Sequence, residues 1–315
     1  MSPRSDTSSS PHGPRQARIR GIRAAWWTGW KVALGMPGIL ILKWLVNLTF
    51  AAAAVLPAVL LLEDHLAHSV VGEQAFESMG TDIAVEFALA AGPQLRLAAL
   101  ASVPIALAYL FVSLYLTGGI LHRLRAGLRE PWAEFFGACN RNLSMLIRVA
   151  LMTLALAAIV LGLPHYALAR VVESWTEDAA GPQPLFYLTW LHWAILLLLG
   201  SWVARVYDYA RIAAFLEPES KARAAFFLGI EFTLRRGTKT LVLWLLLVLP
   251  PLLLTVIFAT APITGGVGTM AAMWASVALG QVLLGVRILG SFATLGGQMR
   301  FMPRAARLPT DAYLG

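Results

Sequence analysis

The sequence predicts an all-α, polytopic membrane protein with six transmembrane helices, and three observations predict it. Of the 315 residues, 58% are hydrophobic and only 13% charged, about half the charged share of an ordinary globular domain. Six segments are predominantly apolar over the ~20 residues that a helix needs to cross hydrocarbon: Gly38–Leu62, Leu95–Leu121, Leu143–Leu163, Leu185–Ala204, Thr240–Ala261 and Val267–Gly290. None alternates with period two, and backbone groups in hydrocarbon must be satisfied within their own segment, so these are helices and not barrel strands.

Taken in order, residues 1–16 are rich in Ser, Pro and Arg. They bury no apolar face and are expected to form a disordered tail. The first apolar run, Gly38–Leu62, is longer than the roughly 7–15 residues of a signal-peptide core, so it reads as a membrane helix. The six-helix domain is expected over 17–302, followed by a second tail at 303–315.

Basic residues fall in alternate connections. Arg4, Arg15, Arg18, Arg20, Arg23 and Lys31 precede the first helix; Arg123, Arg125, Arg129 and Arg141 follow the second. Arg211, Lys221, Arg223, Arg235, Arg236 and Lys239 follow the fourth, and Arg300, Arg304 and Arg307 follow the sixth. The first connection instead carries Glu63, Asp64, Glu73, Glu77, Asp82 and Glu86 without Lys or Arg, and the third has Glu173, Glu177 and Asp178 against Arg170 alone. The positive-inside rule then places both termini in the cytoplasm. The formal net charge of +8 is accounted for by this sorting and forms no continuous basic stripe, so nucleic acid is not an expected partner.

Before each odd-numbered helix the pattern Ala-x-aromatic-x-Gly recurs: Ala25, Trp27, Gly29; Ala133, Phe135, Gly137; Ala225, Phe227, Gly229. Each occurrence lies in an amphipathic stretch with Arg or Lys nearby, the composition of a helix lying in the headgroup layer. The expected unit is an interfacial helix, a kink or turn near glycine, and two membrane helices, repeated three times.

The segments FVSLYLTGGILHRLRAGL, WAEFFGACNRNLSMLIR and RVYDYARIAAFLEPESKARAAFFLGIEFTLRR resemble those of uncharacterised six-helix bacterial inner-membrane proteins. The resemblance spans Trp26 to Arg300. It implies a location in the bacterial inner membrane and the same layout, and it brings no catalytic residues with it.

Candidate chemistry concentrates in Arg205, Asp208 and Arg211, spaced three apart where the fourth helix is expected to leave the bilayer. Asp208 can pair with the arginine on either side. Ionisable groups at membrane depth are costly and mark functional candidates, and arginine's planar fork suits an anionic headgroup. A salt-bridged lock closing the helix end is the competing explanation. Arg287, Arg148 and Lys43 would extend such a site, or simply snorkel to the headgroups. His65 and His68 have metal-ligand spacing but no assured third ligand, and more simply cap a helix. His165 and His192 read as interfacial polar residues without a catalytic partner.

Cys139 is the single cysteine, which excludes an internal disulfide and a multi-cysteine metal centre. Gly237-Thr238-Lys239-Thr240 lacks the glycine spacing of a phosphate loop, and HExxH, GxSxG and GxGxxG are all missing from the chain. No cofactor is expected. The residues thus point to a non-enzymatic membrane protein, a scaffold or accessory subunit whose partners are the lipid bilayer and another membrane protein. The alternative is a transporter or lipid-handling protein that uses Arg205, Asp208, Arg211 and Arg287.

Overall fold

A computed structural model describes residues 14–67, 92–126, 131–178, 182–216, 221–260 and 270–306, and every element in it is helical. The helices are α1 (Pro14–Leu34), α2 (Pro37–Ala67), α3 (Gly92–Ala126), α4 (Trp132–Asp178), α5 (Pro182–Leu216), α6 (Ala222–Arg235), α7 (Gly237–Thr260) and α8 (Met270–Ala306). Six of them are long and apolar enough to cross a membrane, over Pro37–Leu61, Gly92–Arg125, Trp132–Trp175, Phe186–Leu216, Gly237–Ile257 and Trp274–Met302. By this length and composition the chain is a multi-pass membrane protein. Most of the expected tails and the acidic stretch from Glu73 to Glu86 lie outside the described residues. Helix does reach into both expected tails, since α1 begins at Pro14 and α8 continues to Ala306.

Local chemistry decides where helices break. Between α1 and α2 stand Gly35 and Met36, and Pro37 opens α2, where a missing N–H costs nothing. The first turn of α2 closes with Leu40 N–H donating to Met36 O at 3.1 Å. Between α6 and α7 the chain turns at Arg236, whose N–H donates to Phe232 O at 3.1 Å while its carbonyl accepts from Thr240 N–H at 2.9 Å. No such break precedes the third membrane helix. Ala138 to Arg148 holds neither Gly nor Pro, and α4 runs on as one helix of 47 residues, about 70 Å long at 1.5 Å per residue. A separate helix and a turn therefore precede α2 and α7, whereas the stretch expected to precede the third membrane helix is continuous with it in α4. Prolines 57, 104, 164, 250 and 251 lie inside helices that continue past them, as membrane helices tolerate.

The chain divides into two compact units. One comprises Leu34–Ile147 and Val248–Ser291. Within it α2 and α3 run antiparallel along a polar seam: Lys43 Nζ donates to Ser113 Oγ at 2.8 Å, Tyr109 OH to Asn47 Oδ1 at 2.8 Å, and Ser102 Oγ to Ala54 O at 3.0 Å. Every step along α2 is matched by an equal step back along α3, so the seam fixes the register. Gly119 lets α3 approach α4 closely, because a Cβ there would lie 2.6 Å from Cys139 Sγ and from the Phe135 ring.

The other unit comprises Met1–Ala33, Arg148–Leu247 and Phe292–Gly315. Its core holds Tyr209, Ile212, Leu243, Leu247, Phe292 and Met302, all fully buried. Residues 292–299 of α8 are buried on every side of the helix, the pattern of a helix surrounded by others. The small-residue stripes of α1 and α6 supply close backbone approach here. A Cβ on Gly29 would lie 2.3 Å from Ala293 O, and one on Gly229 would lie 2.8 Å from Ala210 N.

Candidate functional site

Helix α5 continues well past Ala204, where the apolar run ends, to Leu216. The segment 205–216 consequently stays within a packed core, and the charged cluster is held inside it: Arg205 is 4% exposed and Asp208 9%. A buried carboxylate needs partners that replace its hydration. Asp208 Oδ1 accepts a close charged hydrogen bond from Arg211 Nη2, one turn along the same helix. Asp208 Oδ2 accepts from Gln298 Nε2 of α8 at 3.0 Å. The Arg211 guanidinium also lies over the Tyr207 ring, 4.8 Å from its centroid, a cation–π contact that holds the cation in place.

Arg205 behaves differently from the sequence expectation. It does not pair with Asp208. Its Nε donates to Ser201 O at 3.1 Å, and its Nη1 donates to Gly237 O at 3.2 Å and Thr240 Oγ1 at 3.4 Å. Gly237 and Thr240 form the first turn of α7. The physical reason is the ordering of donors: with Asp208 already saturated by Arg211 and Gln298, carbonyl and hydroxyl oxygens at the α6–α7 turn are what remain for a buried guanidinium. Arg205 therefore clamps α5 to that turn.

Gln298 was not visible in the sequence as a site residue. It is fully buried, and it joins helices that are ninety residues apart in the chain. A lone glutamine carries no motif, and only its tertiary partner reveals it. Beside this network three buried polar atoms find no partner among the described residues: Gln298 Oε1, Arg211 Nε and Tyr209 OH. Tyr209 packs its ring on Phe232, with centroids 4.7 Å apart.

Other candidates are placed elsewhere. Arg287 is an exposed residue of α8 in the other unit, and Lys43 of that same unit is committed to Ser113 and the Tyr109 ring. Arg148 is exposed on α4. The side chains of His65 and His68 lie outside the described residues. Among the described residues no three His, Cys, Asp or Glu side chains gather as a metal-binding set.

His165 and His192, which the sequence left unconnected, meet across α4 and α5. His165 Nδ1 and His192 Nε2 are 3.0 Å apart, and His192 stacks on Trp193 at an interplanar angle of 20°. One ring must donate and the other accept, so at least one is neutral in this arrangement. The pair joins two helices through a connection that no local pattern announces.

The arrangement around Asp208 is chemically a closed ion pair with an amide donor. Comparison with family models, curated proteins and solved structures gives no match to this chain.

Proposed function

We propose that the chain is a non-enzymatic protein of the bacterial inner membrane, a scaffold or accessory subunit of a membrane complex, with both termini in the cytoplasm. The orientation rests on the alternation of basic and acidic connections. The observation that carries the functional reading is the direction of the charged donors. Arg205 and Arg211 are turned onto internal oxygens, which makes the cluster a lock that fixes α5 against α7 and α8. The apolar helices meanwhile keep most of their surface free: between 6% and 28% of each spanning window is buried within the chain. That surface serves lipid and lateral protein contacts, which in membranes depend on packing and not on burial from water.

The test is purification of the full chain in mild detergent with its mass measured directly. The scaffold reading expects a second membrane protein retained at fixed stoichiometry. Repeated recovery of a lone monomer would count against it.

A second reading, transport or lipid handling at the same cluster, draws on the unpartnered Gln298 Oε1, Arg211 Nε and Tyr209 OH. Buried polar atoms are normally hydrogen-bonded, and these three would serve a small polar group. It predicts water at the cluster, which the lock excludes.

A further inference from the structure

Helices α1 and α6 share a two-faced design that the repeat pattern only hinted at. On their inner faces Ala25, Gly29 and Ala33 of α1, and Ala225, Gly229 and Thr233 of α6, recur at intervals of four, and all six are buried. On the opposite faces Arg23, Trp27 and Leu34 of α1 correspond in spacing to Arg223, Phe227 and Leu234 of α6, and all six are exposed. Trp27 is 64% exposed, Phe227 61%, Leu34 65% and Leu234 63%. The motif thus has a mechanical meaning. Its alanine and glycine permit backbone contact inward, and its aromatic residue is turned out.

The second copy is built the other way round. Ala133 is exposed and Phe135 fully buried, so it does not present this outer face.

A soluble protein has no use for an outer stripe of Trp or Phe with Leu one helical face away from its own core. Such a stripe, with arginine one turn before the aromatic, fits the boundary between acyl chains and charged headgroups. Among the described residues neither Arg23 nor Arg223 is engaged in an ion pair, whereas Arg235 of α6 is held by Glu231 at 3.0 Å. We propose that α1 and α6 are a matched pair of lipid-surface anchors that select anionic phospholipid, with Arg23 and Arg223 taking the headgroup phosphates and Trp27, Phe227, Leu34 and Leu234 entering the acyl boundary. A zwitterionic lipid carries the same phosphodiester beside a choline cation, so it is the net negative charge of an acidic leaflet that the unpaired arginines beside these apolar side chains favour, which commits the surface to an acidic bilayer.

The experiment is a thermal-shift titration of the full chain in neutral detergent micelles with dioleoyl phosphatidylglycerol, dioleoyl phosphatidylcholine or soluble glycerol phosphate. The wild-type chain is expected to reach the same rise in Tm with about tenfold less of the anionic lipid than of the zwitterionic one. The double variant R23Q/R223Q is expected to lose that preference with its Tm in phosphatidylcholine unchanged, and R23K/R223K to keep it. Equal effects of the two lipids on the wild-type chain would overturn the proposal. So would a preference that survives in R23Q/R223Q, or a glycerol phosphate shift as large as that of the anionic lipid, which would make the site one for soluble anions.

Discussion

Replacing Asp208 by alanine is expected to lower the stability of the folded chain by about 3–5 kcal/mol, the cost of leaving a buried cation without its counter-charge. Both members of the pair are shielded, with side-chain exposures of 12% for Asp208 and 15% for Arg211, so solvent screening does little to soften the loss. Gln298 loses its acceptor at the same time. The near-isostere D208N removes the charge and one acceptor together, since an oxygen kept for Gln298 turns the amide NH2 donor toward Arg211, so its cost is expected to be comparable to that of D208A. Removing both charges in D208A/R211M is expected to recover at least ~1 kcal/mol relative to D208A alone, because the stranded guanidinium is gone. Denaturation in mixed micelles, followed by tryptophan fluorescence, measures all three. A D208A chain as stable as wild type would show that the ion pair holds nothing together.

The second large effect is steric. Gly29→Ala places a methyl group 2.3 Å from the carbonyl oxygen of Ala293, and Gly229→Ala places one 2.8 Å from Ala210 N. In both cases the obstacle is backbone, which cannot rotate away, so a helix has to shift. A loss of about 1–3 kcal/mol is expected at each position, the usual range for overpacking a dense core. Gly21 of α1 supplies the internal control, since nothing lies within 4 Å of its Cβ position. Gly21→Ala is expected to gain up to ~1 kcal/mol from helix propensity. Gly137→Ala meets only the end of the Arg141 side chain, at 3.2 Å, and is expected to be tolerated. Loss at Gly137 equal to that at Gly29 would mean that the second motif copy packs as the first does.

Several of these features were legible in the residues. The six spanning helices follow from composition and length, because hydrocarbon imposes an apolar run of fixed extent on any helix crossing it. The spacing of Asp208 and Arg211 gave one ion pair correctly, since residues three apart share a helix face. The same rule offered Arg205 as an equal partner, and the structure pairs Asp208 with Arg211 and turns Arg205 to Ser201 and Gly237. Helical spacing says which side chains are neighbours on one helix, but not which of them a second helix will claim. Gly237 and Thr240 took Arg205, and Gln298 took the second carboxylate oxygen.

Helix ends were less legible for a related reason. An apolar run marks where hydrocarbon contact stops, whereas α5 and α8 continue into a protein core whose residues include Arg205, Asp208 and Gln298. Residues 292–299, past the apolar run expected for the sixth helix, are buried on every side of α8. The break expected before the third membrane helix failed on local chemistry, since residues 138–148 contain no residue that interrupts a helix. His165 and His192 could not be joined from sequence at all, as their contact depends on the register of two separate helices.

Whether water reaches the Asp208 network is measured directly by hydroxyl-radical footprinting of the unmodified chain in lipid nanodiscs. Tyr209 and Met302 are fully buried in that core, and Phe232 and Met299 nearly so. A closed lock predicts that these four stay unmodified at doses that oxidise the same residues once the chain is unfolded in denaturing detergent, with labelling at least about tenfold slower in the nanodisc. Oxidation of Tyr209 and Met302 at rates approaching those of the unfolded chain would contradict the lock and favour a water-filled passage at Asp208.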